Sequence, residues 1–350
     1  MKALTLWAPD LLHILRVKEA SDALQPLSLP ALQTLLVKSD KFPISKTPCF
    51  SHQASTLFHQ RVTLPVAATE ACVIFKDHEQ GKDDFWIKVD AVQMVADRDS
   101  LVLISGKHLA IDKQESKALL AAFNEHFAQD GVQLIASEDS SWYMSMSQPV
   151  DIKTTDLLMA DNKPVNELYP QGSAAQYWRQ MMNETQMLFY THPVNEARRN
   201  KGWPEINSIW PWGEGQIDFD QISMRADAAI WSGHAYLQGL AKLTSAHHLD
   251  SPQCYSHFIE QLNTVPENVD NHLVLLDEIH EHLDSLEMGQ WLQILETLEK
   301  NWFEPILSAM QKGQIDSLLL DLGGCWRYHL KPQHLKRFWR FKKSIYSITS

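Results

Sequence analysis

The chain has 350 residues, 44% hydrophobic and 21% charged, a balance that supports a large buried core and excludes a disordered chain. Its formal net charge of −12 argues against whole-surface attraction to nucleic acid or anionic lipid. No apolar run approaches the roughly 20 residues of a membrane span, so neither a nucleic-acid partner nor a membrane is expected.

Four cysteines, Cys49, Cys72, Cys254 and Cys325, are widely spaced with no C-x-x-C pair, which predicts a reduced, cytoplasmic protein. From the N-terminus, Ala3 to Trp7 reads as a short buried strand ending at Pro9, with Leu11, Leu12 and Leu15 suiting a helix after it. Ser28 to Val37 reads as a helix with Pro30 in its first turn, where a missing amide proton does no harm. Residues 39–65 give no strong element. Ala67 to Phe75 is strand-like, Phe85, Ile87 and Val89 alternate as a half-buried strand, and Val92, Met94 and Leu101 to Ile104 add two more around the charged turn at Asp97. A helix is predicted over Lys113 to Ala128, with Asp112 as N-cap and Glu115 completing a capping box. Val132 to Ala136 and Trp142 to Met146 resume strand character.

These elements predict an α/β protein whose residues 1–150 form an α+β region on a mostly antiparallel sheet. Residues 151–172, with Pro164, Pro170 and Gly172, read as linker-like. Residues 173–350 alternate: helix Tyr177 to Phe189, a polar loop, strand Ala228 to Trp231, helix Ala235 to Ala246, strand Leu273 to Leu276, helix Gly289 to Met310 kinked at Pro305, and strand Leu318 to Leu320. Such alternation predicts parallel βαβ units.

The polar loop is the densest run of the chain: HPVNEARRNKGWPEINSIWPWGEG, from His192 to Gly215. Amides and guanidinium groups fix oxygen-rich anions, and glycines let a backbone come close; the competing role for the same residues is to cap turns and pair with acids. Trp210, Trp212 and Trp231 either wall a pocket or fill the core. In the tail, His334 to Lys343 interleaves basic and aromatic residues. That pattern suits single strands or anionic membranes, but docking Leu335, Phe338 and Trp339 on the body with the cations outward needs no partner.

The His192–Gly215 run, together with DFWIKVDAVQMVADRDSLVLISG (Asp84 to Gly106) and the helix ending Asn124-x-His126-Phe127, resembles the RpfE-type regulatory proteins of proteobacteria. That family carries the phosphoglycerate mutase name because its C-terminal half resembles archaeal-type cofactor-independent mutases. The resemblance implies a C-terminal half of alkaline-phosphatase and phosphoglycerate-mutase type, a mostly parallel sheet flanked by helices. In those mutases a similar run lies in the substrate-binding half, which carries over to Asn195, Arg198, Gly202, Asn207, Trp212, Gly213 and Gly215, and His192 at the head of the run joins them as a candidate ligand-binding residue.

Two predicted strands end in aspartate, Asp277 and Asp321, where open parallel sheets place their ligands. After Asp277 come His280, His282 and Asp284, at spacings of three, five and seven; the related mutases use an aspartate with a histidine four residues on. Asp10 follows the first strand, yet no serine stands in the mutase context, and Asp321-Leu322-Gly323-Gly324 occupies the place of an Asp-His pair. The expectation is a retired mutase that binds a small anionic, phosphorylated metabolite or a protein partner without catalysis and without a cofactor. The alternative is a metal-dependent mutase or phosphohydrolase with rearranged ligands, Asp277, His280, His282, Asp284 and Asp321, on manganese or zinc.

Overall fold

The computed structural model describes residues 1–12, 27–44, 49–75, 84–97, 99–276, 287–341, 345 and 348. Its strands are β1 (Ala3–Trp7), β2 (Asp40–Pro43), β3 (Phe85–Asp97), β4 (Ser100–Ile104), β5 (Ile135–Ala136), β6 (Trp142–Met146), β7 (Ser208–Gly215), β8 (Ala228–Trp231), β9 (His247–Leu249), β10 (Asn271–Leu275), β11 (Ser317–Asp321) and β12 (Trp326–Leu330). They fall into two compact units: residues 1–48, 56–60 and 223–350 form the first, and residues 49–55 and 61–222 the second. The boundary expected at 151–172 is therefore corrected. That segment lies inside the second unit, bridged to itself at Lys153–Gln171 and to β4 at Val102–Pro164, and Trp210 donates its indole N–H to the Thr155 carbonyl at 2.8 Å. Proline and glycine there shape a packed irregular segment.

The first unit is a seven-stranded sheet in the order β2-β12-β11-β1-β10-β8-β9. Strands β11, β1, β10, β8 and β9 run parallel, and β12 and β2 add an antiparallel edge. The N-terminal strand sits between β10 and β11, pairing Leu4 with His272 and Leu318. A division of the chain into halves fails for this reason: the apolar strand nearest the N-terminus is the centre of the C-terminal sheet.

Apolar residues on both faces suit a sheet covered on both sides. Leu4, Leu6, Val274, Leu318 and Leu320 are buried together with Trp231, Trp291 and Trp302. The predicted long helix is broken as the proline requires: Met288–Leu298 is followed by a π-helical turn, Glu299–Phe303, and restarts at Glu304–Gln311 with Pro305 in its first turn. The turn delivers buried Glu299 to another helix. Helix Pro30–Lys38 has Leu29 at its N-cap, which offers no side-chain acceptor, and the Glu299 carboxylate instead accepts from the Ala31 amide at 2.6 Å and the Leu32 amide at 3.0 Å.

His272 on β10 is 4% exposed, and its Nδ1 accepts the Trp231 indole N–H at 3.3 Å. Burial pushes its pKa down to about 4. Folding therefore excludes a proton that the unfolded chain would bind. The stabilisation is complete above about pH 6.5 and is lost as pH falls toward 4, by of order 3 kcal/mol. Urea titrations of the wild type and His272→Asn across that window should converge as the pH drops, and parallel curves would refute it.

The tail follows the expected orientation at Leu335, which packs on the core, and reverses it from Arg337 to Phe341. Arg337 grips Asp40 at 2.6 Å and 3.1 Å, and Arg340 reaches the same carboxylate at 3.2 Å; these contacts pull the Asp40 pKa down to about 2. Phe338, Trp339 and Phe341 are exposed. Arg337 and Arg340 face inward because an acidic neighbour and the carbonyls of residues 37–39 are there to receive them.

In the second unit β4-β3-β6-β5 form a sheet, and β7 pairs with β3, all antiparallel, as expected for an α+β region. The thirteen-residue β3 is its spine. Ala67 to Phe75, expected as a strand, lies instead in and at the end of helix Val66–Ile74: Ala67, Ala68 and Ala71 are small enough to lie flat against the strands, and alanine favours the helix. Helix Lys113–His126 starts as predicted, Asp112 accepting from the Gln114 and Glu115 amides at 2.8 Å each and Glu115 reaching back to the Asp112 amide.

Residues 39–65 also carry structure that composition did not signal, β2 and helix Phe50–Leu57. No helix among the described residues is long and apolar enough to cross a membrane.

Candidate functional site

The carboxyl ends of the parallel strands are where this type of sheet holds ligands. Asp321 ends β11 fully buried, and its Oδ2 accepts from Arg327 Nε at 2.7 Å. Arg327 stands on the antiparallel neighbour β12, directly across from Asp321 in the register. Gly323, with φ of +73°, lies against the Asp10 backbone so closely that a Cβ would overlap the Asp10 amide nitrogen and Cα; only glycine fits there. Asp277, His280, His282 and Asp284 lie outside the described residues.

A divalent cation requires several anionic or imidazole donors converging without a competing cation. Among the described residues no group of three or more His, Cys, Asp or Glu side chains could hold one, and Asp321 already faces a guanidinium. Of the expected metal ligands only Asp321 lies among the described residues.

The His192–Gly215 run is not a loop. It forms helix Pro193–Lys201, a short connection, and β7, with His192 as N-cap accepting from the Val194 amide at 3.2 Å and Gly202 closing the helix at φ +69°. Asn195 is fully buried; it donates to the carbonyls of Phe189 and Ile206 at 2.8 Å and 2.7 Å and accepts the Ile206 amide at 2.8 Å. Asn207 accepts the Met94 amide at 2.7 Å and donates to the Met94 carbonyl at 3.0 Å, extending the β3–β7 ladder with a side chain.

Arg198 is 1% exposed. Its guanidinium takes Glu115 through Nε at 2.9 Å and Nη2 at 2.6 Å, and donates through Nη1 to the carbonyls of Leu109 and Pro204. Gly213, at φ +66°, would place a Cβ 2.9 Å from Val66 Cβ, and Gly215, at φ +149°, 2.6 Å from Pro65 Cγ; both let helix Val66–Ile74 close on β7. Trp212 donates to Asp90 Oδ2 at 2.5 Å.

The seven residues are spread from the start of helix Pro193–Lys201 to the far end of β7, and Asn195, Arg198 and Asn207 turn their donors to the protein itself. Trp210 and Trp231 are fully buried core residues. The periodicity that would have revealed helix Pro193–Lys201 was masked by its polarity, since only Asn195 and Arg198 are buried on it.

The sequence also concealed a charged cluster under β3. Lys88 Nζ lies 2.8 Å from Glu70 Oε2, and Tyr143 donates to the same oxygen at 2.6 Å. Glu70 is 2% exposed. Asp90, two residues along, has its pKa pushed up by burial, against the pull of Lys88 and Trp212. The available signal was FWIKVDAV, in which Lys88 and Asp90 interrupt an apolar strand on one face.

No family model matches the chain. Over 147 residues it is 26% identical to a probable 2,3-bisphosphoglycerate-independent phosphoglycerate mutase of Geobacter sulfurreducens, covering 39% of this chain and 35% of that protein. Over 183 residues it is 24% identical to the 2,3-bisphosphoglycerate-independent phosphoglycerate mutase of Methanothrix thermoacetophila, covering 49% and 44%. The matches span less than half the length of these relatives.

A solved protein from Pyrococcus horikoshii, PH0037, superposes with a TM-score of 0.54 at 14% identity, over 91% of this chain and 81% of that one. The fold is mixed α/β, of the alkaline-phosphatase and phosphoglycerate-mutase-like type. Its sequence relatives are cofactor-independent phosphoglycerate mutases.

Proposed function

We propose that this chain is a non-catalytic relative of the cofactor-independent phosphoglycerate mutases, a regulatory protein of the RpfE type that works by binding. The observation that carries this is the Asp321–Arg327 pair at 2.7 Å. A strand-end carboxylate in the position to ligate a metal is matched instead by an arginine one strand away, and that guanidinium repels a divalent cation from the same oxygen.

A phosphorylated acid, if bound, meets cations elsewhere than at the inward-turned Arg198. In the first unit a cavity of about 710 Å³ is lined by Lys312, Lys331 and Lys336 with Gln311 and Gln333 and a single carboxylate, Asp316, a lining whose three ammonium groups outnumber its acid and suit phosphate and carboxylate oxygens.

The test is metal uptake by calorimetry with manganese and zinc, run beside conversion of 3-phosphoglycerate to 2-phosphoglycerate. The expected result is neither uptake nor turnover, with thermal stabilisation by 3-phosphoglycerate of about 2.7 kcal/mol at a hundredfold excess over Kd, lost in Lys331→Ala/Lys336→Ala. Stoichiometric metal and turnover that both vanish in Asp277→Ala would instead establish the enzyme with rearranged ligands.

A further inference from the structure

The second unit contains a cavity of about 270 Å³ whose wall is divided by chemistry. Val89, Ala91, Ile111, Trp142 and Leu157 supply an apolar side, while Asp90 and Asp139 bring carboxylates and Ser105 a hydroxyl. The volume is at the lower end for small-molecule sites, and an apolar wall with a few convergent polar groups is their usual composition.

Two independent observations point to a ligand. Ser105 is 2% exposed and its Oγ has no hydrogen-bond partner among the described residues, although its backbone amide is held by Asp161 Oδ1 at 2.8 Å. Buried hydroxyls are normally satisfied, and an orphan lining a cavity marks a place where something else supplies the partner. The second observation is charge. One cation, Lys88, is shared among three carboxylates, in contact with Glu70 at 2.8 Å and within the field of Asp90 and Asp139, so carboxylates are in excess around the cavity. Asp139 is fixed there by Ser137 and by the Ser141 amide at 3.2 Å.

We propose that this cavity binds a small aliphatic amine. Its ammonium group sits against Asp90 and Asp139, its methylenes lie along Val89, Ala91, Ile111 and Leu157, and a second polar end pairs with the Ser105 hydroxyl. A phosphorylated acid is excluded from it by the same carboxylates, so this site and the lysine-lined one in the first unit take ligands of opposite charge. The two succeed or fail separately.

The experiment is titration calorimetry of the full chain with 1,4-diaminobutane, and with 1,4-butanediol as a neutral molecule of the same length. Binding of the diamine, weakened by added salt, with no detectable heat from the diol, is the expected result. Asp90→Asn, which keeps an acceptor for Trp212, should weaken the diamine at least about tenfold, and Ser105→Ala by about threefold to fivefold. Near-ultraviolet circular dichroism establishes that each variant is folded. If Asp90→Asn does not fold, Asp139→Asn takes its place. Equal binding of diol and diamine, no binding of either by the wild type, or unchanged affinity in folded Ser105→Ala and carboxylate variants would overturn the proposal.

Discussion

Arg198→Ala is expected to destabilise the protein by about 3–5 kcal/mol, as removal of one partner from a buried ion pair generally does. The side chain is 1% exposed and joins three places distant in sequence: the N-terminus of helix Lys113–His126 through Glu115, the Leu109 carbonyl, and the Pro204 carbonyl beyond its own helix. Its loss strands part of the Glu115 carboxylate and two carbonyls. The double variant Arg198→Met/Glu115→Leu should recover part of the loss, because apolar replacement of both partners removes the uncompensated charge, although Glu115 also closes the capping box of its helix. Urea denaturation of the two variants measures both effects. An arginine kept for ligand contact would behave otherwise, its removal costing little stability in the unliganded protein.

Lys88→Met is expected to cost a similar amount, about 3–5 kcal/mol near neutral pH, and the cost should fall in acid. Without the ammonium, Glu70 and Asp90 remain under β3 with hydrogen bonds from Tyr143 and Trp212, and burial already pushes the Asp90 pKa upward in the wild type. A carboxyl whose folded pKa is raised binds more protons folded than unfolded, so its contribution is complete below the unfolded pKa and declines as pH rises through the folded one. The variant should therefore approach the wild type in acid and fall away toward neutrality. Thermal melts from the ordinary carboxylate range upward would show it, and a pH-independent difference would mean that Lys88 acts through packing of its stem alone.

Much of the local architecture was legible because short-range physics fixed it. Asp112 and Glu115 announced a helix start through the donors a first turn leaves open, Pro305 announced the restart of a helix, and the alternation of Phe85, Ile87 and Val89 announced β3. Helix Val66–Ile74 was misread because a run of small apolar residues has no period to separate strand from helix. The candidate site was less legible for a different reason. Asparagine, arginine and glycine serve ligands and backbone with the same atoms, and a sequence does not show which acceptor lies opposite each donor.

The sequence by itself determined an α/β protein, with β1 legible as a short apolar strand and β8, β10 and β11 as strands of parallel βαβ units, while its resemblance to the mutases implied the type of fold. Tertiary structure decided the rest. It put the N-terminal strand at the centre of the C-terminal sheet, because strand pairing is indifferent to separation along the chain once the closing entropy, which grows only slowly with length, is met. It set Arg327 opposite Asp321 and Arg198 onto Glu115, and gathered Lys88, Glu70, Asp90 and Asp139 in the second unit. Charge is felt over ångströms of space, and those distances exist only after the chain has folded.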